Sequence, residues 1–136
     1  MVGAVLDAVI LDGTFIEAAD LTNAILTRLY ARGADFSYSR LVGADLSGAT
    51  LERASFIHSD LAVAKLVGAD LDASDFRNAR LIFAILDGAK GKVRVNSETK
   101  LFGISTEGAD IAFLTPDEFE SKSESESDSD GEDYDE

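Results

Sequence analysis

The chain has 136 residues and 46% apolar content, enough for one domain with a real core and too apolar to be disordered throughout. It has no Cys and one histidine, which excludes disulfides, thiolate metal sites and His-clustered zinc sites. Its net charge of −14 disfavours binding to DNA or RNA, and no apolar run approaches the ~20 residues that a membrane span needs.

The charge is unevenly placed. Residues 1–90 hold 12 acidic and 8 basic side chains, and residues 91–116 hold three of each. From Asp117 to Glu136 there are 11 acids against one Lys, so the last segment carries most of the negative charge. At the other end, Met1 to Asp7 has no basic n-region and enters the repeat described next at once, so no signal peptide is expected.

From Leu6 to Leu86, every fifth residue is large and apolar in sixteen of seventeen cases, Ala31 being the exception. Two residues before nearly all of them lies a small one, as in Ala34, Ser39, Ala44, Ala49, Ala54 and Ser59, with Val9 and Thr14 as departures at the start. The phase holds without a slip from about Gly3 to Lys90. A period of five fits neither a helix nor an unbroken alternating strand. It fits a short extended stretch followed by a corner. Within the stretch the large and small residues are two apart and face the same side, while the residue between them points out and is often charged. Glycine recurs two after the large residue, as at Gly13, Gly33, Gly43, Gly48, Gly68 and Gly88, where a corner needs backbone freedom. At Leu29 and Ala31 the large and small residues are exchanged, which conserves volume.

Four corners close a square of twenty residues. On that circuit Phe36, Phe56 and Phe76 become vertical neighbours above Ile16, and Leu21, Leu41, Leu61 and Leu81 form a second inner ladder. Outside, Asp20, Arg40, Asp60 and Arg80 alternate in sign, about 4.8 Å apart if circuits stack as strands do. Val5, Ile10, Phe15, Ile25 and Tyr30 occupy outward positions that later carry polar residues, so they are the candidate interface, for a homodimer through the N-terminal coils, for another protein, or for a missing N-terminal segment.

The units Ala34-Asp35-Phe36-Ser37, Ala44-Asp45-Leu46-Ser47-Gly48 and Ala69-Asp70-Leu71-Asp72 resemble the A(D/N)LXX unit of pentapeptide-repeat proteins. The resemblance covers about two thirds of the chain. It implies an all-β fold, a right-handed quadrilateral parallel β-helix of about 4–5 coils over residues 1–90. A single unit cannot bury its Leu; stacking does so. It implies a non-catalytic structural or protein-interaction module. The alternative is the DNA-mimicking inhibitor of DNA gyrase found among family members, which present a long acidic rod. A cytoplasmic location is expected, with the thylakoid lumen of a chloroplast as the alternative if a targeting segment has been removed.

After Lys90 the phase breaks, because Gly91 and Asn96 occupy large-residue positions. Gly91–Glu98 reads as a loop or excursion and Thr99–Phe113 as an irregular final coil, so that residues 91–114 form one unit. Thr115-Pro116-Asp117-Glu118 looks like a helix start, with Thr as N-cap and Pro at the first helical position. A short helix over 115–121 would lay Phe119 across the open coil end. Residues 122–136 are Ser/Asp/Glu low complexity, expected to be disordered and to contact basic proteins.

No catalytic, cofactor or metal site is expected. His58 reads as a surface corner residue, and Ser39, Ser59 and Ser74 as core substitutes for Ala with no base in reach. Glu126, Asp128, Asp130 and Gly131 mimic the opening of a calcium loop but have no ligand at its twelfth position. Ser121, Ser123, Ser125, Ser127 and Ser129 each precede an acid by three residues, the pattern of acidic-directed phosphorylation; a constitutive solubility tail is the other reading.

Overall fold

The computed structural model of the chain describes residues 2–118. Over most of that length the backbone repeats one local motif: two turn residues, then a single residue in a parallel bridge. The bridges set the circuit. Val5 pairs with Ile25, Ile25 with Asp45 and Asp45 with Lys65, and the same step of twenty carries Ile10 to Tyr30, Phe15 to Asp35 and Asp20 to Arg40. Four faces therefore rise in parallel as a β-helical solenoid.

The corners explain the spacing of five. Ala24 N–H donates to Leu21 C=O at 3.0 Å across each corner of this type, with Asn23 at φ 59°. An i→i+3 bond with positive φ at the third residue is the type II pattern, which prefers Gly. Here Val63 and Phe83 also adopt it, at φ 52° and 58°. A β-branched or aromatic side chain in this region costs stability, which stacking on both sides offsets. Between corners, Phe56 N–H donates upward to Asp75 C=O at 2.7 Å and Asp75 N–H downward to Ala54 C=O at 2.9 Å. Each face thus spends its hydrogen bonds on its neighbours above and below.

The interior is apolar and layered. Phe36, Phe56 and Phe76 are buried with ring centroids 5.1 and 4.8 Å apart and planes within 2° and 6° of parallel. Leu21, Leu41, Leu61 and Leu81 are buried above one another, and both members of the exchanged pair, Leu29 and Ala31, are fully buried. The interior hydroxyls are satisfied locally. Ser59 Oγ donates to Phe56 C=O and Ser74 Oγ to Leu71 C=O, both at 2.6 Å, while Ser39 Oγ reaches Ile16 C=O at 2.8 Å.

One reading of the region after Lys90 needs correction. Residues 90–94 are not a loop but strand β1 (Lys90–Arg94), paired in parallel with β2 (Asp110–Leu114). The final circuit keeps the regular step, with Arg80 bridging Lys100 and Ile85 bridging Ser105. What happens is a slip of one residue and its recovery: Asp75 bridges Arg94, nineteen on, before Lys100 restores twenty. The extended strand brings Val93 and Val95 inward, one residue ahead of the positions that the five-residue period assigns, and both are buried. Asn96 then fills the corner over Asn78, accepting from its N–H at 3.1 Å and donating Nδ2–H to its Oδ1 at 2.9 Å.

Beyond β2, Thr115 N–H and Oγ1–H donate to Glu118 Oε1 at 2.9 and 3.1 Å, half of a capping box at the start of helical residues 116–118. The expected capping by Phe119, the five tail serines, the calcium-like residues and the acidic segment 122–136 lie outside the described residues.

Candidate interaction surfaces

The circuit assigns each outward residue to one of four faces. Val5, Ile25, Asp45, Lys65, Ile85 and Ser105 share the first; Ile10, Tyr30, Thr50, Asp70, Lys90 and Asp110 the second. Phe15, Asp35, Ser55, Asp75 and Arg94 form the third, and Asp20, Arg40, Asp60, Arg80 and Lys100 the fourth. The candidate interface residues therefore do not make one flat patch. They form a girdle on three faces around the first two circuits, with Val5 67%, Ile10 71% and Phe15 81% exposed.

Inside that girdle the first circuit is incompletely covered. Leu6, Val9, Leu11 and Ile16 are only partly buried, and together with Leu21, Leu26 and Phe36 they line an apolar cavity of about 260 Å³. Ile16 stands where the next three circuits place Phe, so the smaller side chain contributes to the gap.

Charge is mixed on every face. Arg80 Nε lies 3.5 Å from Asp60 on the fourth face, Lys90 Nζ 3.9 Å from Asp70 on the second, and Arg77 Nη2 2.6 Å from Asp75 at the corner after the third. Pairs such as Arg80–Asp60 and Lys90–Asp70, whose basic ends stand in solvent, contribute little each, about 0–1 kcal/mol. Near the N-terminal end, Arg28 and the Thr27 hydroxyl hydrogen-bond Asp7 and hold its carboxyl below the ordinary value, while Thr22 does the same for Asp20 and Ser37 for Asp35. A depressed carboxylate stabilises the fold above its ordinary value near 3.8 and loses that contribution as pH falls through the folded value. The melting temperature should accordingly drop between neutral pH and about pH 2.5, and Asp7→Asn should flatten that drop. A melting curve insensitive to pH across this range would rule the linkage out.

His58 sits at an exposed corner, its ring stacked on Tyr38 with centroids 4.9 Å apart. Among the described residues, no group of three His, Cys, Asp or Glu is placed to hold a metal ion, and no helix is long and apolar enough to cross a membrane.

Sequence reasoning missed one surface. The corner between the fourth and first faces is apolar in the middle and upper circuits: Val63 is half exposed, and Phe83 and Phe102 meet edge to face with centroids 5.5 Å apart. The next corner is glycine in four successive circuits, at Gly48, Gly68, Gly88 and Gly108. The available signal was the twenty-residue spacing of Val63 and Phe83, which the five-residue reading treats as two generic corners.

The family model for pentapeptide repeats matches residues 1–37, 32–62 and 54–90, as 8 copies. No curated protein matches the chain. Among solved structures, the pentapeptide repeat protein alr5209 from Nostoc is 28% identical over 68% of this chain and 84% of its own, with a TM-score of 0.52. HetL, a pentapeptide repeat protein involved in regulating heterocyst differentiation in Nostoc, is 24% identical over 87% of this chain and 70% of its own, at 0.40. A pentapeptide repeat protein from the thylakoid lumen of Arabidopsis thaliana is 28% identical over 73% of this chain and 62% of its own, at 0.32.

Proposed function

Because this chain belongs to the pentapeptide-repeat family, we propose that it works as a non-catalytic, rigid protein-interaction module that docks through its N-terminal end. The observation that carries this reading is the girdle: Val5, Ile10 and Phe15 are held out from a fixed backbone around an apolar opening, whereas the circuits above carry Asp, Ser or Thr at most of the same outward positions. The three side chains surround the apolar opening lined by Leu6, Leu11 and Ile16, and exposed apolar groups gathered at one end of a molecule mark a contact site. A solenoid is suited to the task because its side chains keep a fixed spacing and each circuit depends only on its neighbours.

The gyrase-inhibitor reading asks for an acidic stripe along a rod. Lys65, Lys90, Arg94 and the Arg40–Arg80–Lys100 series place basic groups on all four faces, which weighs against it. The deciding comparison is covalent capture of partners by full-length protein, by Phe15→Ser and by protein lacking residues 119–136. Partners lost with Phe15→Ser and kept without the tail support the N-terminal reading. Partners that follow only the tail, or no dependence on Phe15, would sink it.

A further inference from the structure

Resting on the N-terminal docking reading, we infer that the occupant of this end is a second copy of the chain, bound head to head about a two-fold axis that passes beside Ile10.

The backbone of the first circuit makes the argument. In the second circuit, Ile25 sends both its N–H and its C=O downward, to Ala4 C=O and from Leu6 N–H, each at 2.7 Å. Tyr30 and Asp35 do likewise, through Val9 and Leu11 and through Thr14 and Ile16. Val5, Ile10 and Phe15 are the same positions one circuit lower, and among the described residues their N–H and C=O have no backbone partner. Among the described residues, each of three faces therefore has a first residue that offers one donor and one acceptor in the same direction. A residue presenting both groups to one side is half of the hydrogen-bonded pair of an antiparallel ladder, in which two facing residues exchange both bonds. These half-pairs are set around a square. A straight peptide reaches one of them and a helix none, whereas another first circuit reaches all three.

The ramp of the solenoid fits the same solution. One circuit climbs by one strand spacing, about 4.8 Å, so its end is a step rather than a flat ring. A two-fold rotation preserves hand and reverses direction. The ramp of the second copy then runs alongside the first with a constant gap of one spacing, and the two steps meet at the same seam. With the seam beside Asp20, positions whose numbers total twenty face each other: Val5 opposite Phe15 of the second copy, Ile10 opposite Ile10, and Phe15 opposite Val5. Every outward pair is apolar. The acids are offset: Asp7 comes over Gly13 of the second copy, Asp12 over Ala8 and Glu17 over Gly3, while Asp7 is engaged upward by Arg28 and Thr27. The cavity among Leu6, Leu11 and Ile16 closes against its own copy.

The chain has no Cys, so single introduced thiols report the register. Full-length protein should sediment as a dimer. Ile10→Glu and Phe15→Glu, both at exposed positions, should give half that mass with unchanged circular dichroism. A short bis-maleimide should link Ile10→Cys to itself. Phe15→Cys should not link to itself, because the two copies of residue 15 lie on opposite sides of the rod, but it should link to Val5→Cys when the two variants are mixed. A monomer at all concentrations, a dimer that survives Ile10→Glu, or self-linking at Phe15→Cys in place of Ile10→Cys would each overturn the inference. A monomer whose captured partners still depend on Phe15 would overturn the second copy alone and leave the docking reading standing.

Discussion

Phe56→Ala should lower the unfolding free energy by about 3–5 kcal/mol, the loss expected of a fully buried aromatic whose surroundings cannot close over the gap. Phe56 is 0% exposed and is the middle ring of three, with an aromatic face against it on each side at 5.1 and 4.8 Å. The walls around it are backbone. Phe56 N–H is bonded upward to Asp75 and the Asp75 N–H returns to Ala54, so the circuits cannot approach each other to fill the void without breaking that ladder. Single domains are stable by about 5–15 kcal/mol, so the loss is a large share of the total. Phe36→Ala and Phe76→Ala remove rings with one stacked neighbour and should cost less. Phe56→Leu keeps most of the volume and should cost under about 1.5 kcal/mol. Urea midpoints for the four variants test the order. A loss for Phe56→Ala below that of Phe36→Ala would mean that the stack is not what holds the middle circuits together.

The parts of this fold that sequence makes legible are those where one residue type answers one physical demand. Positions such as Leu41, Leu61 and Phe56 must fill a dry interior, so the period of five appears directly. Corners make no such demand. Any side chain that tolerates positive φ can stand there, and His58, Asn78 and Phe83 all do, which hides the apolar ridge at Phe83 and Phe102. The outward apolar residues are legible one at a time, but their arrangement as a girdle depends on the twenty-residue circuit that sends Val5, Ile10 and Phe15 to three different faces.

The end of the repeat misleads for a different reason. Gly91 and Asn96 occupy the positions that should be large, so the period reads as broken. The core is nevertheless filled, by Val93 and Val95, because β1 stays extended for five residues and advances the inward side chains by one place. Periodicity detects a residue missing from its place. It does not detect that the backbone has moved the place, since that depends on the geometry of the strand and not on its composition.

That geometry singles out Gly91 for the second large effect. Gly91→Ala should cost about 3 kcal/mol, from backbone overpacking added to a left-handed conformation. Gly91 adopts φ 123°, and a methyl group there would fall 2.8 Å from the Leu71 carbonyl carbon and closer still to the backbone N and Cα of Asp72. Those are main-chain atoms of the circuit below, held in turn by their own ladder, so neither side can yield cheaply. Relief requires β1 to lift, which breaks the bonds from Leu71 N–H to Lys90 C=O at 2.8 Å and from Ala73 N–H to Lys92 C=O at 2.7 Å. It also withdraws β1 from β2, the strand that precedes the helix start at Thr115. Gly68→Ala is the control: its φ is 67° but nothing lies within 4 Å of the added carbon, so only the conformational cost of about 1–2 kcal/mol applies. Hydrogen exchange separates the two. In Gly91→Ala the amides of Leu71, Ala73 and residues 110–114 should lose protection while those of Leu41 and Leu61 keep it, and equal protection at both sites would show that Gly91 is not where the last circuits are fastened.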